Sequence, residues 1–355
     1  MRGSPFRART LFVVGLLGIA IAGCGGSTAS QSPAGVASGA ATSSASASAV
    51  GFAPPNLTGQ TLNFVLGSAP TQYDTHYFIM QKVLRSWGAQ VSLIHVNGSS
   101  ATGHLLLAGQ ADISKDPLSA IITDQTVTFG PGQPSLEFVF IGGKNLSDVH
   151  DLPGHKVGLT STHGLEFLLL SVEEKVYNID PESVTKQIAG GGQSARATQL
   201  LAGQIDAMLA HYALWPILQP QGMHLLGELS KDAPTLADGF IHATGAWLTA
   251  HPDLAAAIDE AWLVASKEFQ TDEAAWVADE QAFMGASKDS IDSAQSAWQV
   301  AHDANLWPYD KTAFSADSIV TNIQASAPAL TTSPPPPAQI STTTYWDQAV
   351  KAIFP

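Results

Sequence analysis

Apolar and polar positions change period in a regular order along this chain. Leu62–Leu66 is a short, nearly continuous apolar run, the pattern of a strand buried on both faces. The loop Gly67–Asp74 follows, and Thr75–Trp87 repeats apolar residues at helical spacing. Gln90–Val96 then reads as a strand, Ser100–Ala108 as a helix and Ala111–Ser114 as a short strand. The same order returns further on. Lys156–Leu159 is a strand, Gly164–Tyr177 a helix, Val184–Ala189 a strand, Gln193–Ala202 a helix and Ile205–Ala210 a strand. One hexapeptide marks the repeat, since Leu107-Ala108-Gly109-Gln110-Ala111-Asp112 recurs 94 residues later as Leu201-Ala202-Gly203-Gln204-Ile205-Asp206. In each copy the leucine closes a helix, the glycine supplies a left-handed cap and the aspartate opens the next strand. Asp112 and Asp206 therefore read as structural turn acids and not as catalysts.

Two βαβαβ units in matched order predict an α/β protein of two lobes, each a largely parallel sheet flanked by helices. After the second unit, Gly239–Thr249 is rich in β-formers, and His251-Pro252-Asp253 marks a helix start. Leu254, Ile258, Ala261, Trp262 and Ala265 step at three and four, and the chain reads as helix after helix to about Ala301. Ser333–Pro337 is a stiff extended spacer, and Tyr345–Phe354 reads as a last helix. The late helices are expected to pack back on the first lobe. The expected partition is a first lobe over 56–150, a second over 151–245 and C-terminal helices over 246–355.

The first 55 residues do not fit this pattern. Arg2, Arg7 and Arg9 precede the apolar stretch Leu11–Ala22, which is too short to span a bilayer as a helix. The stretch ends in Ile21-Ala22-Gly23-Cys24, and Cys24 is the only cysteine in the chain. Small residues before a cysteine at this place resemble the lipobox of bacterial lipoproteins. The resemblance implies a signal peptide over 1–23, an acylated Cys24 and anchorage of an extracytoplasmic protein to the cell membrane. Residues 25–50 contain only Gly, Ser, Thr, Ala, Gln, Pro and Val, so 24–55 reads as a flexible tether.

Composition narrows the functions. The formal charge is −14, with 16 Lys plus Arg against 30 Asp plus Glu, and loss of the three leader arginines makes it −17. Such a surface repels phosphate backbones, so no nucleic-acid partner is expected. A lone cysteine excludes internal disulfides and thiolate metal clusters. His76, His163 and His211 lack metal-ligand spacing, and Gly190-Gly191-Gly192 is not followed by the Lys-Ser/Thr of a phosphate loop. No nucleophile signature appears, so neither an enzyme nor a cofactor is expected.

Asp151-Leu152-Pro153-Gly154-His155-Lys156-Val157-Gly158-Leu159 resembles the stretch that opens the second lobe of solute-binding proteins. The turns Gly109…Asp112 and Gly203…Asp206-Ala207, and the junction Trp247-Leu248-Thr249-Ala250-His251-Pro252, are similar to further motifs of that group. Together, from about residue 60 to 310, they resemble the nitrate/sulfonate/taurine-type substrate-binding proteins of ABC importers, a group that includes receptors for thiamine pyrimidine precursors. The resemblance implies a two-lobed, type II periplasmic-binding-protein-like fold. It also implies a monomer that captures a small organic solute and delivers it to ABC permease subunits. A sensor partner is the alternative, and an extracytoplasmic enzyme on the same fold a more distant one.

Open α/β sheets place ligands at the carboxyl ends of their strands. In the first lobe those ends carry Ser68, Ala69 and Tyr73, then Asn97–Ser100, then Ser114 and Lys115. In the second they carry Ser161, Thr162 and His163, then Gly190–Ser194 with Gly192 and Ser194 foremost, then His211 and Tyr212. Free N–H groups at the helix starts there can hold an anion. Arg196, one turn inside its helix, reads as a solvated-face residue. It and Arg85 are the only arginines after the leader. That scarcity favours a neutral or aromatic heterocyclic ligand, such as a pyrimidine, or a sulfonate or nitrate-like anion held by backbone N–H groups.

Overall fold

A computed structural model describes residues 52–96, 99–118, 125–160, 165–190, 192–285, 291–326 and 333–355. The expected signal peptide, Cys24, nearly all of the expected tether, Asn97, Ser161, Thr162 and His163 lie outside the described residues.

The first βαβαβ unit runs through β1 (Thr61–Leu66), α1 (Thr75–Ser86), β2 (Gln90–His95), α2 (Ser99–Leu107) and β3 (Ile113–Asp116). Two strands follow, β4 (Thr126–Gln133) and β5 (Phe138–Gly142). The second unit is β6 (Lys156–Leu159), α3 (Leu165–Val176), β7 (Thr185–Ile188), α4 (Gly192–Leu201) and β8 (Ala207–His211). β9 (His224–Glu228) and β10 (Gly239–Thr244) complete the strands. The helices α5 (Pro252–Thr271), α6 (Glu273–Met284), α7 (Ile291–Asp303), α8 (Ala316–Ser326) and α9 (Thr344–Ile353) end the chain.

The strands form two five-stranded sheets, ordered β2-β1-β3-β10-β4 and β7-β6-β8-β5-β9. In each, the three strands of the repeat unit run parallel, and the fourth runs antiparallel to the third. That fourth strand is where the chain changes lobes. β5 lies in the second sheet although it precedes residue 151, and β10 lies in the first although it follows the second unit. The chain therefore crosses at 134–137 and returns at 229–238, not at 150/151 and 245/246. An apolar run such as Phe138–Gly142 carries no mark of which sheet it will join, so hydrophobic pattern alone could not place it.

The hexapeptide behaves alike in both lobes. Gly109 and Gly203 adopt φ of 66° and 67°, left-handed values that favour glycine. Asp112 Oδ2 accepts from the Asn63 N–H at 2.7 Å, and Asp206 Oδ2 from the Lys156 N–H at 2.8 Å. Each aspartate thus ties the end of its helix to the first strand of its unit, the turn role read from the sequence.

One expected stretch splits differently. Gly239–Thr249 is a strand only to Thr244, whose hydroxyl accepts from the Trp247 N–H at 3.2 Å and starts a short helix, Gly245–Ala250. The C-terminal helices join the first lobe's core, where Trp262, Trp276 and Trp307 are fully buried and Trp346 nearly so. The segment after the proline spacer reaches that core too, with Ile340 buried in it and the Thr342 N–H donating to the Thr128 carbonyl of β4 at 2.9 Å.

Candidate functional site

The carboxyl ends of β3 and β8 and both crossings meet in one polar cluster. Lys115, at the end of β3, forms an ion pair with Asp238 on the return crossing. Burial works against the lysine charge, but contact with Asp238 prevails and raises its pKa above the ordinary value. The Asp238 N–H donates to the Gln133 carbonyl at 3.0 Å, so the two crossings are zipped together. Gln133 in turn donates from Nε2 to Glu137 on the outgoing crossing.

Glu137 is buried and pairs with His211 Nδ1 at the end of β8. Burial disfavours both charges, yet their mutual attraction wins: the carboxyl is held below its usual range and the imidazole is raised. The backbone fixes this pair, since the His211 N–H donates to Gln193 Oε1 and the Tyr212 N–H to the Glu137 carbonyl, both at 2.9 Å. The His211 side chain keeps 28% of its surface exposed, so it is not sealed in.

Aromatic rings close over the pair. The His211 ring lies 4.4 Å from that of Phe138 and 5.7 Å from that of Tyr73, centroid to centroid. Tyr73 comes from the first lobe, where the Thr71 N–H and hydroxyl bond Asp74 Oδ2 at 2.8 and 3.1 Å and fix the loop after β1. Burial, then the nearby Glu137 carboxylate, pushes the Tyr73 hydroxyl up, so it stays a proton donor. Burial also raises Asp74.

Of the twelve ligand-contact residues expected from the sequence, the structure brings Tyr73, Lys115, His211 and Tyr212 to this cluster. Ser68 and Ala69 are exposed on the loop after β1, with the Ser68 carbonyl accepting from His95 Nδ1 at 3.0 Å. Gly192 and Ser194 are exposed on the first turn of α4. Ser114 is fully buried inside the first lobe, opposite His242 in the β3–β10 register. Ser161, Thr162 and His163 lie outside the described residues.

Sequence reasoning missed Gln133, Glu137 and Asp238, whereas Gln193 falls inside the expected stretch Gly190–Ser194. A single acid abutting the five-residue apolar run of β5 was the available signal for Glu137. Arg196 needs correcting. It is fully buried, not on a solvated face, and Nη2 donates to Glu166 Oε1 at 2.5 Å. Glu166 Oε2 accepts from the Thr160 N–H at 3.2 Å, so this pair locks the end of β6 to α3 and α4. Among the described residues, no group of three or more His, Cys, Asp or Glu is arranged to hold a metal ion.

Residues 84–294, more than half of the chain, match the family model described as NMT1/THI5 like. The chain belongs to that family. No curated protein matches it. Solved structures resemble this NMT1/THI5-like protein at low identity. A ligand binding component of an ABC-type import system from Staphylococcus aureus, with zinc bound, is 13% identical. The match covers 82% of this chain and 99% of that one at a TM-score of 0.66. The periplasmic aliphatic sulphonate binding protein SsuA from Escherichia coli is 14% identical, with 81% and 94% covered and a TM-score of 0.63. A Candida albicans gene product with the generic periplasmic binding protein structural fold is 12% identical, with 82% and 95% covered and a TM-score of 0.59. The fold is thus that of periplasmic binding proteins.

Proposed function

We propose that the protein is an extracytoplasmic solute-binding protein that holds a small organic molecule between its lobes and delivers it to an ABC importer, without catalysing a reaction. The observation that carries this reading is the cluster itself. Both lobes and both crossings contribute to one partly open group of donors, acceptors and rings, so a bound molecule would bias lobe closure. The names of the Staphylococcus and Escherichia neighbours support it.

The ligand class follows from how the cations are used. Lys115 is paired with Asp238 and His211 with Glu137, while Arg196 is buried against Glu166. Arg85 donates to the Val91 carbonyl at 2.6 Å. Among the described residues no arginine remains to clamp a sulfonate bidentately. A flat, neutral or aromatic heterocycle of pyrimidine type, set against Tyr73, Phe138 and His211, fits these surroundings better. Ser68, Ala69, Gly192 and Ser194 are proposed to rim the site, and Ser161, Thr162 and His163 to contact the solute from the second lobe.

The test is thermal unfolding of the protein against sulfonates, nitrate, pyrimidines and aromatic acids. A ligand at about 100 times its Kd adds about 2.7 kcal/mol, a shift of a few degrees at this size. A pyrimidine-class shift that disappears in His211→Ala is expected. A shift by sulfonates alone would overturn the ligand class, and no shift with no co-purifying solute would overturn the receptor reading.

Anchorage through acylated Cys24 completes the proposal, because acyl chains would keep the receptor beside its permease. Cys24→Ser is expected to move the protein from the membrane to the soluble fraction. Membrane retention of that variant would refute the anchor.

A further inference from the structure

The return crossing leaves the second lobe beside a pair of carboxyl groups. Glu173 on α3 is fully buried, and neither of its carboxyl oxygens has a hydrogen-bond partner. Asp232, in the turn Leu229–Asp232 that begins the crossing, faces it. Gly227 provides the meeting place: a Cβ there would stand 3.1 Å from Asp232 Oδ2 and 3.5 Å from Glu173 Oε2. Asp232 is fixed from outside, with the Tyr177 hydroxyl donating to Oδ1 at 2.8 Å and the Glu228 N–H to Oδ2 at 3.1 Å.

The surrounding charges leave this pair to itself. On α3, Glu174 is taken by Lys186 of β7 at 2.9 Å. Lys231 is taken by Glu228 at 2.7 Å. From the turn Val149–Asp151 and its cap, His150 meets the Tyr177 ring at 5.5 Å, and Asp148 adds negative charge near that hydroxyl. β8 is apolar up to His211, which Glu137 holds, and α8 meets this lobe's core with Ala325, its acid Asp317 lying two turns back. Two carboxylates this close repel strongly when both are ionised. With two carboxylates and no third metal-binding group among the described residues, a shared proton is the simpler neutraliser.

We propose that Glu173 and Asp232 share a proton that fastens the start of the return crossing to α3, and that losing it in alkaline medium loosens the hinge. This rests on the two-lobed receptor reading but needs no ligand. Burial first, then Asp232, pushes Glu173 up to about 8, which places the change just above neutrality. The raised pKa means the folded state binds this proton more tightly than the unfolded chain. Its stabilisation is complete below about pH 4.5 and is lost as pH rises through about 8.

Thermal unfolding of wild type and Glu173→Gln from pH 6 to pH 9 tests this, alongside hydrogen exchange of amides 228–238 and small-angle scattering. Wild type is expected to lose a few degrees more than the variant over that range. Its crossing amides should exchange several-fold faster at pH 9 than pH dependence alone predicts, and its radius of gyration should rise. Glu173→Gln should show none of these changes. Identical profiles for the two proteins would overturn the proposal, as would calcium chloride raising the melting temperature of wild type and not of the variant. Should Glu173→Gln fold poorly, Asp232→Asn is held to the same profile. All readouts are solute-free, so failure of the receptor reading and failure of this switch remain distinct results.

Discussion

The two lobes are built from one unit but stabilised by different means. Their strand orders correspond strand for strand, and their glycine–aspartate turns match in φ and in hydrogen bonds. The first lobe nevertheless carries the C-terminal helices, so its core continues through four tryptophans. His76 belongs to that core, fully buried and stacked on Trp307 at 4.8 Å, and burial holds its imidazole well below the ordinary value, hence neutral. The second lobe has smaller, largely aliphatic clusters in its place, and an internal Arg196–Glu166 pair fixes its strand ends. The repeat sets backbone geometry in both lobes, whereas what docks on each sheet sets how firmly it is held. Under the proposed receptor role, the first lobe would serve as the base and the second would move about 134–137 and 229–238.

The largest effect is expected where the difference is greatest. Trp262 is fully buried on α5, and its Nε1–H donates to the Gly132 carbonyl at 2.9 Å. Trp262→Ala should cost about 3–5 kcal/mol, from the lost burial and the cavity left behind. The measurement is denaturant-dependent hydrogen exchange, comparing β1 and β3 with β6 and β8. First-lobe amides should lose protection at lower denaturant than second-lobe amides. Simultaneous loss in both sheets would mean that the lobes unfold as one unit and that the contrast has no energetic content.

Much of this arrangement could be read from the chain because its cues are local. Strands β1, β2, β6 and β7 and helices α1 to α4 fall within a residue or two of their expected bounds, and α5 starts where expected, since apolar period and caps operate over a few residues. The third strands begin at Ile113 and Ala207, just past the aspartates that introduce them. What escaped was long-range. Glu137 joins the candidate site only because His211, 74 positions later, reaches it, and Asp238 only because Lys115 does so across 123. Arg196 looked solvated because its partner, Glu166, sits on another helix 30 residues away. Lobe membership of β5 and β10 was unreadable for a related reason: crossing strands have the composition of core strands and differ only in destination.

The smallest effect sharpens the comparison at its point of closest match. Asp112→Ala and Asp206→Ala each remove a carboxylate that accepts a strand N–H, and each should cost about 1–2 kcal/mol, within the range for hydrogen bonds and caps of this kind. If the repeat were the whole account, the two losses would be equal. They should differ slightly, because His155 Nδ1 lies 3.5 Å from Asp206 Oδ2 and no ion pair joins Asp112 among the described residues. Both members of the His155–Asp206 pair are about one-third exposed, so it contributes a few tenths of a kcal/mol at most and is open to screening. Urea midpoints should therefore place Asp206→Ala marginally below Asp112→Ala in dilute buffer at pH 5 and bring the two together in about 1 M sodium chloride at the same pH. A gap that survives high salt would show that the aspartates are not equivalent in the backbone they hold. That would limit the correspondence between the lobes to their strand order.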